Sequence, residues 1–85
     1  MDKKYYSLYH DKEKCEIKIN LLRERDLFVK WLKYHEKDDM PLVFYNYHYY
    51  LGIDRKALKE QAKKIKKEWI EEVNERLDML EKIKI

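Results

Sequence analysis

The sequence predicts an α+β domain: a small three-stranded sheet, made of a β-hairpin and one further strand, packed by two helices in the order ββαβα, with a long C-terminal helix. Three observations carry this. Cys15, Ile17 and Ile19 alternate with Glu16, Lys18 and Asn20, the period of a half-buried strand. Leu58, Ala62, Ile65, Trp69, Val73, Leu77, Leu80 and Ile83 step by four or three, the period of a helix, with no Gly or Pro among them. Between these runs lies an aromatic stretch that favours a strand.

The first strand is read over residues 4–10, Lys-Tyr-Tyr-Ser-Leu-Tyr-His. Asp11-Lys12-Glu13-Lys14 is a polar break of hairpin length, which pairs this run with the alternating one. Tyr6 and Leu8 are expected to share the inner face with Cys15, Ile17 and Ile19, and Cys15 to be a buried, inert thiol. Asn20 is a candidate N-cap for a helix over 21–36, whose Leu21, Leu22, Arg25, Phe28, Trp31, Leu32 and His35 lie on one side. Pro41 follows where that helix has stopped.

Residues 42–51, Leu-Val-Phe-Tyr-Asn-Tyr-His-Tyr-Tyr-Leu, read as one strand, with a short buried helix as the alternative. Val43, Tyr45, Tyr47, Tyr49 and Leu51 form one face and Leu42, Phe44, Asn46, His48 and Tyr50 the other. A strand apolar on both sides is covered on both. Gly52 breaks the run, Asp54 caps the last helix, and Ile53 is placed to staple onto Leu58.

Eighty-five residues make a single domain, 1–85, with a modest core. The charged fraction is 44% but the net charge is only +3, so overall charge does not announce a nucleic-acid binder. Scarce uncharged small residues beside abundant Lys and Glu fit either thermophily or an AT-rich genome, and abundant Tyr favours the latter. Met1-Asp2-Lys3-Lys4-Tyr5 leads into no apolar run and is not expected to be a secretory signal. No stretch approaches the roughly 20 apolar residues of a membrane span. The lone Cys15 makes no internal disulfide, so a cytoplasmic protein without membrane association is expected.

The long helix, 54–83, is the expected dimerisation element. It spans about 45 Å, against roughly 30 Å for a compact domain of this size, so about 15 Å of striped helix overhangs. Arg55, Lys56, Lys59, Lys63, Lys64, Lys66 and Lys67 fill its first half beside Glu60. Glu68, Glu71, Glu72, Glu75, Asp78 and Glu81 dominate the second. The helix dipole prefers the reverse. An antiparallel partner helix sets each basic half beside the other's acidic half, whereas a parallel one opposes like charges. The expected partner is therefore a second copy, in an antiparallel two-fold dimer through Ile65, Trp69, Val73, Leu77, Leu80 and Ile83.

The same cations support a nucleic-acid reading, since a local basic patch holds phosphates. Tyr5, Tyr6, Tyr9, Tyr45, Tyr47, Tyr49 and Tyr50 would offer stacking surfaces, or anchors for a protein partner. Within this region, Tyr50-Leu51-Gly52-Ile53-Asp54-Arg55-Lys56-Ala57-Leu58 resembles the turn and second helix of Fis-type helix-turn-helix DNA-binding regulators. The resemblance covers about a tenth of the chain. It implies that Gly52 makes the turn, that Ile53 and Leu58 pack two helices together, and that the helix from Arg55 enters the major groove. His48 departs from the small residue usual four positions before the glycine.

Catalytic signals are weak. His10, His35 and His48 sit in three elements without metal-ligand spacing. A single cysteine makes no zinc motif, and a single glycine makes no phosphate loop. The expectation is a non-enzymatic binding protein without cofactor or metal, acting on a protein or nucleoprotein as an inhibitor or adaptor of, for example, phage or mobile-element origin.

Overall fold

A computed structural model describes residues 3–83; Met1 and Asp2, which open the segment read above as no leader, lie outside it. The elements are β1 (Tyr5–Asp11), β2 (Glu16–Leu22), α1 (Leu27–Tyr34), β3 (Val43–Asn46), β4 (Tyr49–Gly52) and α2 (Arg55–Glu81). The four strands form one antiparallel sheet in the order β2-β1-β4-β3. The class is α+β with two helices, as expected, but the sheet has a fourth strand.

The hairpin β1–β2 pairs in register from Tyr5↔Leu22 to Asp11↔Glu16. Leu8↔Ile19 and His10↔Ile17 put the expected side chains on one face. Cys15 is the exception. It closes the turn at φ 54° and is exposed, its backbone N–H donating to the Lys12 carbonyl at 3.2 Å. Alternation alone does not mark where a turn ends, and the turn claims this residue.

The strand ladder also takes Leu21 and Leu22, which moves the start of α1. Asp26, not Asn20, is its N-cap, with Oδ1 accepting from the Phe28 N–H at 2.8 Å. The helix ends in a Schellman motif. Lys37 N–H donates to the Leu32 carbonyl at 2.8 Å and Glu36 N–H to that of Lys33 at 3.2 Å, with Glu36 left-handed at φ 55°.

Residues 43–52 form a second hairpin where one strand was expected. Asn46 Oδ1 accepts from the His48 N–H at 2.8 Å, an Asx turn that reverses the chain at Tyr47-His48. The register shifts between Phe44 and Asn46, leaving Tyr45 as a bulge. Gly52 lies beneath the Pro41 segment. A Cβ there would meet the Pro41 carbonyl carbon at 2.7 Å and its oxygen closer still.

The sheet is covered on both faces. Under α1, Tyr5, Val29, Leu32, Val43 and Leu51 form one core. Under α2, Leu8, Leu58 and Ile65 form the other, with Tyr6, Ile17, Ile19, Ala62 and Trp69 around them. Ile53 packs with the α1-side core while Leu58 sits in the α2-side core, so the expected Ile53–Leu58 staple gives way to packing on opposite faces. Because β4 precedes α2, the resemblance to a helix-turn-helix does not hold: a strand stands where its first helix would be.

Candidate interaction surface

α2 has 27 residues, about 40 Å of helix. Asp54 caps it, Oδ1 accepting from the N–H groups of Lys56 at 2.9 Å and Ala57 at 3.4 Å. Its first half lies over β1, touching β2 and β4 on either side. Trp69 closes this docked stretch, its ring 6.5 Å from that of His10. An ion pair between Lys12 at the hairpin tip and Glu72 adds one further tie, exposed and so worth at most about 1 kcal/mol.

From Ile70 to Ile83 every residue is exposed. The chain therefore measures 62 × 20 × 18 Å, with a radius of gyration of 16.6 Å; a compact chain of this length would have about 12 Å. The uncovered stretch is not polar. Val73 is 54% exposed, Leu77 51%, Leu80 61% and Ile83 60%, and they continue the spacing of Leu58, Ile65 and Trp69. Of the six residues proposed for a dimer, Ile65 is the correction: at 6% exposure it is spent on its own sheet. Trp69 is half-buried, and Ile70, which the sequence reading left out, joins the open set at 51%.

A groove of about 540 Å³ runs between the hairpin and this stretch, lined by Cys15 and Ile17 on one side and Lys66, Trp69, Ile70, Val73 and Asn74 on the other. Its walls are mainly hydrocarbon. The charge split persists in three dimensions: α2 has no acidic residue in its first turn and no basic one in its last. Arg55, Lys56, Lys59, Lys63, Lys64, Lys66 and Lys67 are all exposed, and among the described residues none of them is ion-paired.

The tyrosines divide differently from expectation. Tyr5 is buried at 5% exposure. Tyr9, Tyr45 and Tyr49 are half-buried, Tyr45 and Tyr49 lying against Phe28 at 5.1 and 4.8 Å between ring centroids. Tyr47, on the β3–β4 turn, is 87% exposed and is the most open member of the expected contact set.

The fold does bring His10 and His48 together, although they lie far apart in sequence. His48 Nδ1 is 3.1 Å from the His10 carbonyl oxygen. They line a cavity of about 510 Å³ with Asp11, Tyr47 and Trp69. His10 Nε2 is buried with no hydrogen-bond partner among the described residues. Burial pushes the His10 pKa below the ordinary histidine value; His48 adds to that and Asp11 opposes it. Asp11 is held below the usual carboxylate range, chiefly by the Lys14 backbone N–H. Among the described residues no three His, Cys, Asp or Glu side chains converge to hold a metal ion. No helix there is long and apolar enough to cross a membrane.

Compared with models of known protein families, with curated proteins and with solved structures, the chain matches none.

Proposed function

We propose that this chain is a small non-enzymatic binding protein that works as an antiparallel homodimer through α2. One observation carries the reading. The apolar stripe that docks α2 on its sheet continues for about three turns past the sheet, where Val73, Leu77 and Leu80 are each more than half exposed. A subunit that exposes such a stripe gains by covering it. The reversed charge distribution favours a head-to-tail second copy as the cover. On this reading the dimer is the working unit, and its remaining surface, including Tyr47, masks or bridges a protein partner. Sedimentation velocity from micromolar to millimolar concentration tests it. A concentration-dependent dimer is expected, converted to monomer by Leu77→Asp with Leu80→Asp. A monomer throughout would refute it.

A second reading keeps one specific support, the unpaired cations of α2. On this reading they bind nucleic-acid phosphates without a helix-turn-helix, with an affinity that falls steeply with salt. Retention on a nucleic-acid column at low salt, lost in Lys63→Glu with Lys67→Glu, is its expected signature. Absence of retention, or indifference to those changes, sets it aside.

A further inference from the structure

The face of β2 turned towards α2 carries Ile17, Ile19 and Leu21, since these pair with His10, Leu8 and Tyr6. α2 is centred on β1 and covers this strip incompletely. Ile17 and Ile19 stay half-buried and Leu21 is 62% exposed. The result is a trough with the edge strand as its floor and a flank of α2 as its wall. At one end it opens into the groove between Cys15 and Trp69.

The direction of the trough follows from the contacts. Ile17 is level with Trp69, because its cross-strand neighbour His10 meets that ring. Leu21 lies four residues further along β2, about 13 Å away, towards the start of α2. The wall is basic. Lys66 lines the groove, and Lys63 and Lys59 lie one and two turns earlier on the same flank.

A second α2, laid antiparallel and crossing near Ile70, runs its last turns along this trough. Val73, Leu77 and Leu80 extend over about 10 Å of helix, comparable with the spread of Ile17, Ile19 and Leu21. Asp78 and Glu81 then pass beside Lys63 and Lys59. Packing the two overhangs on each other would instead gather Glu71, Glu75, Asp78 and Glu81 of both copies. A chain's own overhang cannot enter its own trough, since α2 runs unbroken from Arg55 to Glu81.

We infer that the trough over β2 receives the last three turns of α2 from a second copy, Val73, Leu77 and Leu80 resting on Ile17, Ile19 and Leu21. This rests on the homodimer reading and adds where each overhang goes. Disulfide trapping tests it in a Cys15→Ser background, with Leu21→Cys combined in turn with Leu77→Cys, Leu80→Cys and Ile83→Cys to cover one turn of slip. Within one chain these positions are too far apart to bridge. Sedimentation of the reduced protein first shows whether a dimer exists. Mild oxidation is expected to convert monomer bands to dimer for at least one pair and for none of the single variants. A dimer that cross-links through Leu80→Cys alone, or that gives no pair-specific product, overturns the placement and leaves the homodimer standing. A monomer at every concentration overturns both.

Discussion

Replacing Leu77 and Leu80 together with alanine separates association from folding. In the isolated subunit these side chains are 51% and 61% exposed. Fully burying a leucine contributes about 1.5–3 kcal/mol, so covering the open half of each is worth about 1 kcal/mol. A two-fold pair contains two of each. Truncating all four removes about 4 kcal/mol, which is roughly a thousandfold in the dissociation constant. The subunit itself should lose nothing, because neither side chain belongs to either core and alanine is the better helix former. Sedimentation equilibrium gives the first quantity, and urea unfolding at a concentration where the chain is monomeric gives the second. A dissociation constant that moves less than about tenfold would show that the leucines are not covered. A stability loss in the monomer of more than about 2 kcal/mol, the usual cost of truncating a core leucine, would show that they pack within the subunit.

Three further outcomes follow from the fold. Gly52→Ala forces a methyl group onto the Pro41 carbonyl and should cost at least the 1–3 kcal/mol (about) typical of overpacking, read as a lower urea midpoint; an unchanged midpoint would mean that the Met40–Leu42 segment does not lie over β4. Asp54→Ala removes the acceptor for two N–H groups of α2 and should cost about 1 kcal/mol, with Asp54→Asn retaining most of it. Because the His10 pKa is lowered in the folded chain, the unfolded chain takes up the proton first as pH falls below the ordinary value of 6.5. The His10 contribution is complete above that pH and is lost on acidification. The urea midpoint should therefore fall from about pH 7 to about pH 5, less steeply in His10→Gln. The Asp11 carboxyl acts in a separate window, below its ordinary value of 3.8. Equal slopes for the two proteins would refute the assignment to His10.

Periodicity made the longest elements legible. The β1–β2 hairpin, the shared face of Leu8, Ile17 and Ile19 and the extent of α2 all follow from patterns repeated over several residues, and the Asp54 cap from one capping-type residue ahead of the helical stripe. The failures sit at boundaries. Leu21 and Leu22 satisfy a helix stripe and a strand ladder equally, and pairing with Tyr6 and Tyr5 decides for the ladder. In 42–51 the aromatic content masked a reversal whose one local signal was Asn46, a residue able to bond its own backbone two positions on. The burial of Tyr5 and Ile65 depends on which strands neighbour which, and a chain without an internal repeat carries no local record of that; the exposure of Cys15 depends on where the hairpin turn ends, which alternation does not mark. The charge split of α2 was plain from the residues, whereas the trough over β2 needed the strand order.

The two margins of the sheet are unequal. β3 is four residues long and kinked at Tyr45, the form in which proteins discourage further strands from adding. β2 is seven residues long and regular, with Lys18 as its chief deterrent. Strand-on-strand polymerisation should start at β2. A helix seated over the inner face of that rim would crowd any strand added there, so a variant unable to associate should form fibrils more readily than the parent chain at equal concentration.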